Sequence, residues 1–132
     1  MTDRITRLNP TSLPNTSAIG YAQISIAQPG RMAFVSGQVA GAEAVAEGFE
    51  AQVADVMRRA GAALVALDAT PEDIVLARIY VVDLDEVRLG ICVAQFNAFC
   101  NAATPSLTGV GVAALAGSGL LVELELQVLL RD

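Results

Sequence analysis

Leu120–Leu130, read LLVELELQVLL, decides the fold. Leu120, Val122, Leu124, Leu126, Val128 and Leu130 point one way, and Glu123, Glu125 and Gln127 point the other. A period of two held over eleven residues is a β-strand with one face on a core and one polar face. Ile74–Val82, IVLARIYVV, is rich in β-branched residues and predicts a second strand, buried on most of both faces.

The period changes between and before these strands. Phe49, Val53, Val56, Met57, Ala60, Leu64 and Leu67 recur at steps of three and four, which predicts an amphipathic helix ended by Asp68 and Ala69. Gln52, Asp55, Arg58 and Arg59 fall away from its most apolar side. Thr70-Pro71-Glu72-Asp73 reads as an N-cap with proline at the first position of a short helical turn. Asp83–Glu86 suits the start of a second helix, which carries Val87, Ile91, Ala94 and Phe99 near one side and ends near Asn101. Thr104-Pro105-Ser106 breaks it, Gly109–Leu115 reads as a strand, and Ala116–Gly119 as a turn. Toward the N-terminus, residues 1–19 suggest an edge strand and a loop. Tyr21–Ala27 and Arg31–Ala40 suggest a hairpin about Gln28-Pro29-Gly30, and Gly41–Gly48 a loop of small residues. This order predicts an α+β domain, with two helices packed on one face of a mixed sheet. The other face then needs water or a neighbour.

The 132 residues fit one domain, 1–132. With 54% hydrophobic and 17% charged residues, and a mean hydropathy of +0.53, the chain has more apolar surface than so small a core absorbs. That surplus predicts an oligomer. Histidine and lysine are absent, and all eight basic residues are arginine. Ser-His and Cys-His dyads, histidine-bound zinc, Schiff-base lysines and the P-loop lysine are thereby excluded. A net charge of −6 with scattered arginines gives nucleic acid no footprint. Cys92 and Cys100 lie eight residues apart on one expected helix, roughly 12 Å along its axis, too far for a disulfide. Two reduced, buried thiols, no apolar leader segment and no 18-residue apolar run point to a cytoplasmic protein that does not engage a membrane. No metal and no cofactor is expected.

Five segments then fall into an order with family character: Tyr21-Ala22-Gln23, Phe34-Val35-Ser36-Gly37-Gln38, Arg78-Ile79-Tyr80-Val81-Val82-Asp83-Leu84, Val112-Ala113-Ala114-Leu115 and Val122-Glu123-Leu124-Glu125. From about Tyr21 to Leu130 the chain resembles the Rid family, the YjgF-type reactive intermediate deaminases. The resemblance implies a chorismate-mutase-like fold assembled as a homotrimer, with small-molecule clefts between subunits. It also implies cofactor-independent hydrolysis of enamines and imines, formed from amino acids by pyridoxal-phosphate enzymes, to the keto acid and ammonia. Family members have also been described as endoribonucleases, an activity that this acidic, lysine-free composition supports little.

By that resemblance Glu123 is the catalytic carboxylate that orients the attacking water, and Tyr21 and the Leu107 position contact substrate. From the residues themselves, Ser36 and Gly37 after a buried strand let the backbone approach a ligand, and Thr108 offers a hydroxyl beside Leu107. The family's deaminases hold the substrate carboxylate with an arginine in a Pro-x-Arg motif. Here the matching stretch is Thr104-Pro105-Ser106-Leu107-Thr108-Gly109, so Leu107 stands at the arginine position. Gly109 stands where some members carry cysteine, and Val93 where the family has asparagine. The thirty-four residues from Leu89 to Val122 contain no charged side chain. The expectation is an atypical member whose intersubunit cleft takes a neutral or weakly polar small molecule. It would hydrolyse or deaminate an unusual enamine or imine, or only bind a ligand. Two alternatives stand beside it. One is an ordinary 2-iminobutanoate/2-iminopropanoate deaminase, with an arginine such as Arg4, Arg7, Arg31 or Arg78 supplied from elsewhere. The other is a non-catalytic structural or regulatory trimer.

Overall fold

The structure is a computed structural model that describes residues 3–132; Met1 and Thr2, the start of the expected edge-strand segment, lie outside the described residues. The strands are β1 (Ile5–Leu8), β2 (Ile24–Ala27), β3 (Met32–Val39), β4 (Ile74–Val82), β5 (Ser106–Val112) and β6 (Val122–Leu129). The helices are α1 (Ala42–Glu47), α2 (Phe49–Ala66) and α3 (Glu86–Cys100). Four strands form one mixed sheet in the order β3-β6-β4-β5. Strand β6 runs antiparallel to both of its neighbours, and β4 pairs parallel with β5, α3 making the crossover between them.

The alternation in β6 places it at the centre. Val122, Leu124, Leu126 and Val128 are buried, as are Ala77, Ile79 and Val81 of β4 beside them. Val53, Val56, Met57, Ala60 and Leu64 of α2, with Cys92, Phe96 and Cys100 of α3, close the same core. The helices therefore cover one face of the sheet, as the α+β reading expects. Asp85 caps α3 by accepting a bond from the Arg88 amide at 2.8 Å, and Asn101 ends it in the left-handed region at φ 48°. Both cysteines are buried and free. Burial pushes the Cys92 thiol up to about 11 and the Cys100 thiol up to about 12.

Several sequence expectations are corrected. Strands β2 and β3 do not form a hairpin: β2 pairs with β1 in a separate two-stranded ribbon, while β3 pairs with β6. The chain is drawn toward β5 instead, because the Ala22 amide donates to the Pro105 carbonyl at 3.3 Å and the Ser25 and Ser106 hydroxyls bond at 2.7 Å. The small-residue stretch after β3 is not a loop but the six-residue helix α1, its alanines tolerating the turn that Gly41 and Gly48 bracket. Strand β5 begins three residues earlier than expected, directly after Pro105. Strand β4 is buried on one face only; Arg78, Tyr80 and Val82 on the other are half-buried. Gln52, expected away from the most apolar side of α2, lies within the packed side instead. It is buried, donating to the Gly119 carbonyl and accepting from the Leu121 amide, each at 3.0 Å.

Asp73 ties the two ends of the chain to the sheet. Fully buried at the end of the turn Pro71–Asp73, it accepts bonds from the Thr70 amide at 2.9 Å, from Arg4 at 2.6 Å and from Arg131 at 2.9 Å. Burial alone would raise its pKa. These donors outweigh that and hold it below the ordinary aspartate value.

Candidate functional site

The face of the sheet turned away from the helices carries the candidate chemistry. Register places Val39, Glu123 and Tyr80 side by side across β3, β6 and β4, with Val110 of β5 beyond. The next row holds Glu125, Arg78 and Thr108. Opposite Glu125, strand β3 takes three steps from Val35 to Gln38 while β6 takes two from Leu126 to Leu124, a bulge that contains Ser36 and Gly37. The bulge lays Gly37 against Glu123: a Cβ at position 37 would come within 2.6 Å of Glu123 Oε2. Gly37 is thus the residue that lets this carboxylate lie over β3. Ser36 is exposed, its carbonyl accepting from the Gln38 side chain at 3.0 Å.

Two carboxylates of one strand face have different surroundings. Glu125 accepts the Tyr80 hydroxyl in a short hydrogen bond and the Arg78 guanidinium at 3.2 Å. The Tyr80 bond first, and Arg78 after it, lower the Glu125 pKa against the effect of burial, and the same bond raises that of Tyr80. Glu123 makes no hydrogen bond or ion pair among the described residues. The other carboxylates that are not exposed, Asp55, Asp73 and Glu125, are all paired. Glu123 is therefore the one carboxylate among the described residues that is both shielded and unpaired.

The remaining candidates divide between two places. Thr108 shares the Glu123 face but is exposed, one strand beyond Arg78. Leu107 lies opposite Ala77 on the helix side of the sheet and packs against the core. Tyr21 is half-buried at that end, in a segment held by a bond from the Thr16 hydroxyl to the Tyr21 carbonyl at 2.8 Å and by the bridge from Ala22 to Ser106. Leu107 and Glu123 thus occupy opposite faces of one sheet, and a single copy does not bring them together. The cavities of 640, 590 and 490 Å³ lie against α1 and α2, near the two termini, and under the β5–β6 loop, and none of the three is lined by Glu123 or Leu107.

One residue the sequence reading missed is Asn97, whose side-chain amide bonds the Ile19 carbonyl and lies where a Cβ on Gly20 would be. It is one helical turn beyond Val93, so a scan for asparagine on the same face of α3, at i+4, would have found it.

Every arginine is engaged within the chain. Arg4 and Arg131 hold Asp73, Arg31 holds Asp132 at 2.7 Å, and Arg58 and Arg59 hold Asp55. Arg78 holds Glu125. Arg7 donates to the Ile74 and Glu72 carbonyls at 3.0 and 2.8 Å. Arg88 donates to the Val82 carbonyl at 2.6 Å and lies over the Phe49 ring at 4.8 Å. The four arginines considered as replacements at the Leu107 position are among these. Only Arg78 shares the sheet face of Glu123.

A family model described as endoribonuclease L-PSP matches residues 13–130. The chain belongs to this family, also known as YjgF or Rid. A Rid-family protein of unknown function from Yersinia pestis is 29% identical, with a TM-score of 0.87 over 97% of this chain and all of that one. A YjgF-family protein from Mycobacterium tuberculosis is 28% identical, with a TM-score of 0.66 over 96% of this chain and 99% of that one. RidA from the Antarctic bacterium Psychrobacter sp. PAMC 21119 is 26% identical, with a TM-score of 0.66 over 83% and 88%. No curated protein matches by sequence. Family membership accounts for the mixed α+β fold of the chain. Among the described residues of this Rid-family chain, no helix is long and apolar enough to cross a membrane.

Proposed function

We propose that this Rid-family protein is an atypical hydrolase of enamine or imine intermediates, in which Glu123 activates the attacking water. The observation that carries the reading is the isolation of Glu123, a shielded carboxylate that no cation or hydrogen-bond donor among the described residues engages, its neighbour Tyr80 being turned to Glu125. Such a group is left with water or a ligand as its partner. In the reaction, water adds to the imine carbon as Glu123 takes its proton. The nitrogen is then protonated, and the C–N bond breaks to give a carbonyl compound and ammonia. A positioned general base of this kind contributes about 10²–10⁴-fold to rate.

The open sheet face supports a homotrimer with its clefts between copies. Phe34, on that face, is 73% exposed in the single chain, and a second copy laid over the face would take that ring out of water. Because Leu107 and Glu123 lie on opposite faces, a cleft containing both takes them from different copies. The engaged arginines weigh against the ordinary deaminase alternative.

The test is hydrolysis of 2-iminopropanoate generated in situ, with wild type, Leu107→Arg, and Leu107→Arg combined with Glu123→Gln. The expected result is an inert wild type, a gain of activity in Leu107→Arg and its loss in the double variant. An active wild type would instead establish the ordinary deaminase. Inactivity in all three would show that an arginine at position 107 does not complete the cleft, and would favour a protein that binds without catalysis.

A further inference from the structure

Resting on that reading, we infer that the Glu123 site takes a cationic imine that lacks a carboxylate, an iminium of the type R–CH=NH₂⁺ with a small aliphatic R. Three observations carry the substrate class. First, Glu123 is the only shielded carboxylate among the described residues that no arginine or donor satisfies. An incoming cation gains the attraction that the other three already have. Second, all eight arginines, the chain's only cationic side chains, are committed to carboxylates or carbonyls. A ligand carboxylate would have to displace one of them, and the guanidinium on the same sheet face, that of Arg78, is held by Glu125. Third, the groups beside Glu123 in its row are Val39, Tyr80 and Val110, apolar or turned to Glu125, and the net charge of −6 favours the approach of a cation over that of an anion.

The chemistry balances without an oxidant or reductant. Water adds to the carbon of R–CH=NH₂⁺ and passes one proton to Glu123, leaving a neutral amino alcohol. Glu123 returns that proton to the nitrogen, the C–N bond breaks with its electron pair on nitrogen while Glu123 takes the hydroxyl proton, and that proton passes to the departing ammonia, so that the aldehyde R–CHO leaves with ammonium.

A pair of cyclic probes isolates the point, 1-pyrroline and 1-pyrroline-2-carboxylate, which differ only in the carboxylate. Binding of each is measured by calorimetric titration to the full chain. Wild type is expected to bind 1-pyrroline at least tenfold more tightly than its carboxylate, with Glu123→Gln weakening 1-pyrroline at least tenfold. Glu125→Gln releases the Arg78 guanidinium on the same face and is expected to shift the preference toward the carboxylate. Thermal unfolding of each variant separates loss of binding from loss of fold. If wild type prefers the carboxylate while Glu123→Gln still abolishes binding, the site stands and this substrate class is overturned. If binding of both probes is indifferent to Glu123, the site itself falls.

Discussion

An alanine at position 37 would drive its methyl group into the carboxylate of Glu123. Gly37→Ala is therefore expected to cost activity or ligand binding about as much as Glu123→Gln while leaving the unfolding temperature close to that of wild type. A large loss of stability with intact binding would show that the bulge serves packing instead. Glu123 and Gly37 were legible in the sequence because an alternating strand and a glycine after a buried strand each leave a pattern. The role of Arg78 and Tyr80 was not legible. A strand pair two residues apart reads as packing, and only the cross-strand register brings both onto Glu125 and leaves Glu123 alone. Asp55 gives a pH prediction at this scale. Its bond from the Gly41 amide first, then the Arg58 guanidinium, holds its pKa down to about 2. A depressed carboxylate contributes stability that is present above the unfolded value of about 3.9 and lost as pH falls through the folded one. The stability difference between wild type and Asp55→Asn, measured by urea unfolding, should be full at neutral pH and vanish between about pH 4 and pH 2.

Among the elements, α2 does more than cover the sheet. Its buried Gln52 replaces two hydrogen bonds that the β5–β6 connection would otherwise lack, at the Gly119 carbonyl and the Leu121 amide. Gln52→Leu keeps the volume but orphans both groups, and is expected to destabilise the fold by about 1–3 kcal/mol in chemical unfolding. A neutral effect would mean that water satisfies the loop. The sequence misplaced Gln52 because a helical wheel ranks residues by polarity, whereas a long amide reaching two backbone groups is buried with its bonds intact. Helix α2 and strands β4 and β6 were readable from period alone. The β2–β3 hairpin was wrongly expected because Gln28-Pro29-Gly30 fixes a turn without fixing what the flanking strands pair with. Contacts 81 to 84 residues apart, Ser25 to Ser106 and Ala22 to Ser106, decided that instead. Helix α1 escaped notice because six residues are too few to establish a period.

For the whole molecule, one sheet face is packed under helices and the other stands open, carrying Phe34, Glu123 and the Arg78–Glu125–Tyr80 cluster. Sedimentation analysis is expected to find three copies, and replacing Phe34 with aspartate to shift the mass toward the monomer; a monomeric wild type would contradict the intersubunit cleft. The buried Asp73 ties both ends of the chain to the sheet, so Asp73→Asn is expected to lower stability by about 1.5–3 kcal/mol at neutral pH. That the fold was legible while the substrate was not follows from what each depends on. The fold rests on periodicity within segments, and the ligand on which charges remain unpaired once distant segments meet. The measurement closest to the central claim is the rate of ammonia release from a carboxylate-free aliphatic imine, with wild type and Glu123→Gln compared at equal concentration. The account predicts acceleration by wild type and a loss of about 10²-fold or more in the variant. Equal rates for the two proteins would contradict it.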